Sequence, residues 1–312
     1  MDNLLSIKRC VKLIIFEFCL KYIFKYVTLI MEIIIMINVL MCGNSFIFRG
    51  CMITTLSMVK HTKEPINMFW FTMDLTEKES RFTPLTQEHA NYIEKILKDA
   101  NPESKVTLLD LSDIFKKEMM DSVNINSHFT PYSMLRLFAD MIPEIPDKII
   151  YLDTDTIINN DLAQLYDIDI SDYELGAVKD LYNWATPSRW GKVRTYFNAG
   201  VLLLNMEKIR QTGMFKKARQ LCHDKKMLYM DQDALNKSIK YQKMLPLKFN
   251  AKDKYRKDIV VHHFCNVRKK GNWFHRVKPW EVDLVKQKMT VYNDILDEYQ
   301  ARMKSLETAK NQ

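Results

Sequence analysis

The hydrophobic pattern from residue 33 onward alternates short apolar runs with longer amphipathic segments. The apolar runs have the length of buried strands, and they cover residues 33–41, 66–73, 105–109 and 148–152. Apolar residues between them recur every three to four positions, as in helices, over residues 47–60, 87–99 and 131–141. Strands that alternate with helices predict an α/β fold with a doubly wound, mostly parallel sheet. Ligands of such sheets bind beyond the carboxyl ends of the strands.

The amino-terminal segment differs in composition from the chain that follows. It is apolar, but six charged side chains interrupt it, namely Lys8, Arg9, Lys12, Glu17, Lys21 and Lys25. Since no uninterrupted apolar stretch of about 18 residues remains, the pattern does not predict a transmembrane helix. We interpret residues 1–30 as an extension ahead of a functional chain that starts at Met31. A basic amphipathic helix on a membrane surface is the alternative.

The rest of the chain contains no linker rich in proline, glycine or serine, which indicates one catalytic domain, residues 31–280. Residues 281–312 are predicted to form a carboxyl-terminal helix. Its apolar residues recur in steps of three and four, at Val285, Met289, Tyr292, Leu296, Tyr299, Met303 and Leu306. This spacing fits a coiled-coil seam between two copies of the chain in a homo-oligomer, and it equally fits a helix packed on its own domain.

The net charge of +8 favours an acidic partner, such as a phosphate-bearing substrate, an anionic membrane or a nucleic acid. The chain has no long basic arm and no zinc-finger or RNA-binding signature, so we do not predict nucleic acid as a partner. Its six cysteines include no Cys-x-x-Cys pair, which is typical of thiols in a reducing compartment. These features predict a cytoplasmic protein, with peripheral contact at the inner membrane face left open.

An Asp-x-Asp sequence, Asp153-Thr154-Asp155, directly follows the apolar run 148–152. Two carboxylates two positions apart at the end of a buried strand can reach one hard cation, and Mg²⁺ or Mn²⁺ held there can bridge a diphosphate. An isolated Asp-x-Asp also occurs in many solvated turns. After an apolar strand it resembles haloacid dehalogenase phosphatases too, with Asp153 as nucleophile and Asp155 as general acid/base. That motif normally follows the first strand of its fold, whereas three predicted strands precede this one.

Four segments in a fixed order carry a more specific resemblance. They are Arg-Leu-Phe-Ala-Asp (136–140), Ile-Tyr-Leu-Asp-Thr-Asp (150–155), Phe-Asn-Ala-Gly-Val-Leu-Leu-Leu-Asn (197–205) and Asp-Gln-Asp-Ala-Leu-Asn (231–236). Together they resemble glycosyltransferase family 8, which contains glycogenin and bacterial lipooligosaccharide galactosyltransferases, over about residues 31–280. His-Phe-Cys (263–265) is similar to the Gram-positive bacterial branch.

The resemblance implies a GT-A fold, in which helices flank a Rossmann-like, mostly parallel sheet. It also implies a retaining transferase that moves glucose or galactose from a UDP-sugar to a glycan, a lipid-linked acceptor or a protein. The implied ligands of Mn²⁺ or Mg²⁺ are Asp153, Asp155 and His263. A relative that binds nucleotide sugars without turnover is the alternative, although the match at all three ligands and at Gln232 favours an enzyme.

The resemblance further assigns residues to the donor site. Contacts to the nucleotide, phosphates or sugar are implied for Asn44, Arg136, Thr154, Asn198, Ala199 and Gly200. Asp180, Asp231 and Gln232 match positions near the reacting sugar. A glutamine lacks the charge of a carboxylate nucleophile, so we assign Gln232 a positioning role. A covalent intermediate and front-face attack both remain open.

Two departures from the family pattern affect the nucleotide. The first strand of the family commonly ends in Asp-Asp-Asn-Tyr, whereas Cys-Gly-Asn-Ser occupies residues 42–45, so only Asn44 matches and the assignment of uracil is weakened. The family lysine that approaches the phosphates lies six residues after the metal-binding histidine, within Lys-Pro-Trp. The count points to Lys269, whereas the tripeptide points to Lys278. We predict Lys278, with Lys269 as the alternative.

Overall fold

The structure is a computed structural model that describes residues 36–180, 196–252, 254–265, 267–269, 272–274 and 277–310. The unit that carries the sheet spans Ile37–Gln312. The predicted extension, residues 1–30, lies outside the described residues, so its interpretation stays a prediction. Among the described residues, no helix combines the length and the apolar character that crossing a membrane requires.

The elements up to Leu152 follow the predicted alternation of strands and helices. They are β1 (Ile37–Cys42), α1 (Phe48–His61), β2 (Ile66–Thr72), α2 (Gln87–Ala100), β3 (Lys105–Asp110), α3 (Ser112–Met119) and β4 (Lys148–Leu152). The helix predicted over 131–141 is a 3₁₀ helix, Pro131–Met141. The first strand begins at Ile37, and residues 33–35 of the predicted run lie outside the description.

The remaining described strands and α-helices follow Leu152 in the chain, and three of the strands complete the central sheet. These elements are β5 (Thr156–Ile158), α4 (Ala163–Tyr166), β6 (Leu175–Lys179), β7 (Phe197–Asn205), α5 (Met206–Thr212), α6 (Met214–Asp224), α7 (Met230–Ser238), β8 (Gln242–Leu245), β9 (Val261–His263), β10 (Val267–Lys269), β11 (Asn272–Phe274), α8 (Val282–Lys288) and α9 (Asn293–Lys310).

Seven strands form the central sheet, in the order β3-β2-β1-β4-β7-β6-β8. Strands β1 to β4 pair in parallel, and β8 pairs in parallel with β6. Strand β7 is antiparallel to both of its neighbours, β4 and β6. The predicted α/β architecture with a mostly parallel sheet is therefore confirmed. Strands β5 and β9 form a separate antiparallel pair beside the carboxyl end of β4.

Alternate side chains of β1 enter two apolar clusters on opposite faces of the sheet. Val39 and Met41 join the cluster beneath α1, α2 and the carboxyl-terminal helices. Leu40 and Cys42 join the cluster beneath α3, the 3₁₀ helix and α5 to α7. A sheet covered on both faces needs strands that are apolar throughout, which explains the continuous apolar runs in the sequence.

The carboxyl-terminal helix predicted over 281–312 is divided into α8 and α9. Met289, with φ −145° and ψ 74°, lies between them outside helical geometry. Val285, Tyr292, Leu296 and Tyr299 are buried in the cluster on the α1 face. The apolar spacing therefore serves packing on the chain's own domain, the second of the two interpretations, and those side chains do not form a seam for a second copy.

Candidate active site

Strand β4 delivers the Asp-x-Asp motif to the carboxyl edge of the sheet. The backbone N–H of Asp153 donates to the oxygen of Gly200 in β7 at 2.8 Å, and the N–H of Phe264 donates to the oxygen of Asp155 at 2.9 Å. These two hydrogen bonds attach the motif to β7 on one side and to the end of β9 on the other. The backbone of the motif is therefore held on both sides by hydrogen bonds, one to the central sheet and one to the end of the separate β5–β9 pair.

His263 brings an imidazole to the same point. It is 1% exposed, and its Nε2 lies 3.1 Å from Oδ1 of Asp155 and 3.6 Å from Oδ2 of Asp153. Within the described part of the chain this nitrogen makes no hydrogen bond. One ligand atom from each of the three side chains lies within 4.8 Å of the other two. A buried nitrogen with no hydrogen bond, facing two carboxylates, fits a divalent cation with mixed nitrogen and oxygen ligands.

The neighbouring histidine has a different role. Nδ1 of His262 lies 2.7 Å from the hydroxyl of Tyr292, within the packing of the carboxyl-terminal helices. Successive residues of a strand point to opposite faces, as expected for this pair. The histidine pair therefore contributes one side chain to the cavity and one to the core.

Gly200 makes room for this cluster. A Cβ at residue 200 would lie 2.1 Å from Cε1 of His263 and 2.6 Å from Oδ2 of Asp153. Real Cβ atoms do not approach other heavy atoms so closely, and glycine allows the close approach of backbone and ligand groups. The small residue predicted to line the sugar pocket thus also determines whether the three candidate ligands can converge.

Positive side chains balance the carboxylates. The Nζ of Lys278 donates to Oδ2 of Asp155 at 2.5 Å and to the oxygen of Phe264 at 3.0 Å. Burial alone would raise the pKa of Asp155, but Lys278 and His263 hold it well below its usual value. Burial alone would lower the pKa of His263, but Cys265 and Asp155 raise it to about 10. This point of the structure strongly favours positive charge.

Arg136 joins the Asp-x-Asp motif to the start of α7. It is 3% exposed, its Nη2 lies 3.0 Å from Oδ1 of Asp153, and its Nε lies 3.1 Å from Oδ2 of Asp231. The guanidinium lies 3.9 Å from the centroid of the Tyr151 ring, a cation–π distance. Ser133 donates to the other oxygen of Asp231 at 2.9 Å. Burial raises the pKa of Asp231, and Arg136 opposes this effect.

Gln232 is held at both ends of its amide. Its Oε1 accepts hydrogen bonds from Nδ2 of Asn198 at 2.8 Å and from the N–H of Ala199 at 3.0 Å. Its Nε2 donates to Oδ2 of Asp180 at 3.3 Å and to the hydroxyl of Tyr196 at 3.1 Å. The orientation of this amide is therefore determined by four partners.

Two adjoining cavities contain most of the predicted site. The first, about 220 Å³, is lined by predicted residues that include Arg136, Asp153, Asp155, Asn198, Ala199, Gly200, Asp231, Gln232, His263 and Lys278. The second, about 280 Å³, is lined by Asn44 and Thr154 and shares Arg136 and the Asp-x-Asp carboxylates with the first. Asp180 lies behind Gln232. Lys269 belongs to β10, and its side chain lies outside the description, so the choice between the two lysines stays a prediction.

The sequence reasoning missed Lys252, which is 2% exposed and forms an ion pair with Asp180 at 3.1 Å. It also missed Ser133, which donates to Asp231, and Asn250. The Oδ1 of Asn250 lies 2.9 Å from Nδ1 of His263. The available signal was an alternation of apolar and polar residues, Phe-Asn-Ala-Lys (249–252). That signal does not distinguish a buried network from a surface loop.

A mostly parallel sheet with an Asp-x-Asp motif and a buried histidine at its carboxyl edge is the arrangement expected of a glycosyltransferase with the GT-A fold. The sequence profile of glycosyl transferase family 8 matches residues 38–282. The chain belongs to glycosyl transferase family 8. The interpretation as a haloacid dehalogenase phosphatase is thereby set aside.

Relatives of known name support the family. The lipopolysaccharide 1,3-galactosyltransferase of Salmonella typhimurium is 26% identical over 210 residues, which cover 62% of this chain and 56% of that protein. Glycosyltransferase GlyF of Streptococcus pneumoniae is 31% identical over 122 residues, covering 38% and 29% of the two chains. A Haemophilus influenzae protein with a provisional glycosyltransferase name is 26% identical over 252 residues, covering 74% and 72%.

Solved structures show the same fold. The galactosyltransferase LgtC in complex with donor and acceptor sugar analogs has a TM-score of 0.64 at 19% identity, and the match covers 84% of this chain and 96% of that one. Glycosyltransferase GlyE of Streptococcus pneumoniae has a TM-score of 0.54 at 21% identity, covering 86% and 64%. At these identities the likeness concerns the fold alone.

Proposed function

We propose that this chain is a retaining hexosyltransferase that moves glucose or galactose from a UDP-sugar to a glycan, lipid-linked or protein acceptor. In this proposal Asp153, Asp155 and His263 hold Mn²⁺ or Mg²⁺. The observation that carries it is the buried Nε2 of His263, which faces two carboxylates beside a residue that has no side chain. When bound, the cation offsets the negative charge that develops on the leaving diphosphate.

The side chains around the cation site then have distinct roles. Arg136 and Lys278 supply positive charge along the path of the diphosphate, which is consistent with their pairing to the two Asp-x-Asp carboxylates. In this proposal Asn44 and Thr154, which line the second cavity, contact the nucleoside. Because a diphosphate is anionic, the cationic side chains of Arg136 and Lys278, already held at this edge by their ion pairs, bind it without a large cost of reorganisation.

The residues of the sugar pocket act by position. The backbone of Asn198 and Ala199 borders the hexose, and Gln232 presents a fixed amide to it. The two carboxylate oxygens of Asp231 contact Arg136 and Ser133. Those of Asp180 contact Lys252 and Gln232. We therefore assign these two carboxylates to positioning and charge balance around the reacting sugar.

The place of action forms part of the proposal. A net charge of +8 suits a cytoplasmic enzyme that uses phosphate-bearing donors, and it suits peripheral contact with an anionic inner membrane face when the acceptor is lipid-linked. Binding to vesicles with and without anionic lipid measures that contact directly.

Release of UDP tests the function. Purified protein is incubated with Mn²⁺ and either UDP-glucose or UDP-galactose, UDP is quantified, and products are identified by mass spectrometry. We expect release from one donor to exceed release from the other and to stop in excess chelator. Binding of a donor without UDP release across an acceptor panel would favour the non-catalytic alternative. Release that persists in chelator would contradict the metal assignment.

A further inference from the structure

The buried amide of Asn250 lies between the candidate cation site and the candidate sugar pocket. Its Oδ1 is 2.9 Å from Nδ1 of His263, and its Nδ2 donates to Oδ1 of Asn198 at 2.9 Å. Asn250 is 2% exposed, so water does not compete strongly for either hydrogen bond. One side chain thus connects a candidate metal ligand to a residue of the sugar pocket.

Two backbone N–H groups determine the direction of the hydrogen bonds along this connection. The N–H of Gly200 donates to Oδ1 of Asn198 at 3.1 Å, so this atom is the acceptor of that amide. The N–H of Ala199 donates to Oε1 of Gln232 at 3.0 Å and orients the second amide in the same way. Because a backbone N–H is always a donor, neither orientation depends on a choice between oxygen and nitrogen in the side chain.

The protonation of one ring nitrogen follows from these directions. Since Oδ1 of Asn198 is an acceptor, Asn250 presents its NH₂ group to it and its oxygen to His263. An amide oxygen only accepts, so Nδ1 of His263 carries a proton. In the neutral ring the lone pair is then on Nε2, the nitrogen that faces the two carboxylates. A divalent cation requires a ligand lone pair at that nitrogen.

We propose that Asn250 is a positioning residue that couples cation binding to the sugar pocket. Its oxygen holds His263 in the tautomer that binds a cation, and its N–H holds Asn198 toward Gln232. Nδ2 of Asn198 donates to Oε1 of Gln232 at 2.8 Å, so a change at Asn250 reaches Gln232 through one side chain. The inference rests on the proposed function, because it assigns a role within that site.

Mn²⁺ affinity, measured by calorimetry without any donor sugar, distinguishes the hydrogen bond that Asn250 makes to His263 from the one it makes to Asn198. Asn250→Ala removes both hydrogen bonds and should weaken Mn²⁺ binding by about 10- to 100-fold. Asn250→Asp keeps an oxygen toward His263 but loses the N–H toward Asn198. This variant should bind Mn²⁺ at least as tightly as the wild type, while kcat for UDP release falls by about tenfold or more. A merely structural role would not separate affinity from turnover in this way.

Asn67→Ala is the matched control, because Asn67 is also buried and donates to Oδ1 of Asn38 at 2.8 Å, at the amino ends of β1 and β2. It should leave Mn²⁺ affinity within about twofold of the wild-type value.

Wild-type Mn²⁺ affinity in folded Asn250→Ala, or equal weakening in the alanine and aspartate variants, would overturn the proposal. If Asn250→Ala does not fold, weakened Mn²⁺ binding by Asn250→Asp overturns it alone. Failure of the wild type to bind Mn²⁺ would contradict the metal assignment, and the inference with it.

Discussion

Within the part of the chain that the structure describes, two clusters each bring one histidine together with two aspartates, and their surroundings differ. His263 faces the two Asp-x-Asp carboxylates at the carboxyl edge of the sheet, where the side chain of Asp155 is 14% exposed. His223, near the end of α6, lies between Asp121 and Asp224, whose side chains are 83% and 49% exposed. The two clusters therefore hold the same chemical groups in a buried cavity and on the surface.

The arrangement of the ring nitrogens differs as well. Nδ1 of His223 is 2.6 Å from Asp224 and its Nε2 is 2.9 Å from Asp121, so each nitrogen has a carboxylate of its own. His263 uses Nδ1 for the neutral amide of Asn250 and directs Nε2 toward both carboxylates. Across the described ranges, the His263 cluster alone places three ligand atoms within 4.8 Å of one another. Convergence on one point, rather than the number of charged groups, distinguishes a candidate cation site from a surface ion pair.

The largest expected effect follows from removing a member of the buried cluster. Asp153→Ala, Asp155→Ala and His263→Ala should each lower metal-dependent UDP release by about hundredfold or more, because the leaving diphosphate loses its compensating charge. His223→Ala is the control, with the same residue type removed from the surface cluster, and it should keep wild-type turnover. Nearly full turnover in any of the first three variants would contradict the comparison.

A pair of glycine substitutions tests convergence without removing a ligand. Gly200→Ala places a Cβ 2.1 Å from Cε1 of His263, so we expect UDP release and Mn²⁺ affinity to fall by at least about tenfold. Gly213→Ala is the counterpart ahead of α6, where φ is +65° and the added Cβ would meet no described atom within 4 Å apart from the neighbouring backbone. Strain there should lower stability by about 1 kcal/mol and leave kcat unchanged. Equal kinetics in the two folded variants would show that close approach at residue 200 is unimportant.

The two candidate lysines differ in their expected salt dependence. A charge-assisted contact to phosphate contributes about 1.5–3 kcal/mol, so Lys278→Ala should lower kcat/KM for the donor by more than about tenfold at low and high ionic strength. Lys269→Ala should have a smaller effect, which fades as salt screens a longer-range charge. The measurement is kcat/KM for both variants in a salt series. A large, salt-insensitive loss confined to Lys269→Ala would reverse the assignment.

The sequence predicted the parts of this site that depend on local pattern. A short, mainly apolar run followed by Asp-x-Asp predicted β4 and its two carboxylates, and the alternation of such runs with helical periods predicted the mostly parallel sheet. His263 was assigned through the family resemblance, because no local pattern indicates which of two adjacent histidines faces a cavity. The opposite orientation of His262 agrees with the alternation of side chains along a strand.

Other features depend on contacts that a linear pattern does not contain. Asn250 has its place in the site because it contacts Asn198 and His263, and Lys252 because it contacts Asp180. Asn198 and Asp180 are more than 50 residues away from them in the chain. The apolar pattern over 131–141 did not reveal a 3₁₀ helix, because 3₁₀ runs longer than three or four residues are uncommon and an α-helix was therefore the expectation. The apolar spacing of the carboxyl-terminal segment fitted two kinds of packing. Choosing between them requires the core surface that the segment covers, which the linear sequence does not show.

The smallest expected effect concerns the surface cluster and its dependence on pH. Hydrogen bonds to Asp224 and Asp121 raise the pKa of His223 above its ordinary 6.5. Because the folded pKa exceeds the unfolded one, the stabilisation is fully present below the unfolded pKa and is lost as pH rises through the folded pKa. Relative to the wild type, His223→Ala should therefore lower the free energy of unfolding more at about pH 5 than at about pH 9.

Solvent and salt keep this difference small. The side chain of His223 is 32% exposed and its partners are more exposed, so the pH-dependent part should be at most about 0.5 kcal/mol and should shrink in high salt. Urea unfolding of wild type and His223→Ala at both pH values, with and without added salt, measures it, and the difference between pH values cancels any change in helix propensity. A difference of several kcal/mol, or one that salt does not reduce, would mean that the surface cluster behaves like the buried one, and exposure would then not explain the contrast between the two histidines.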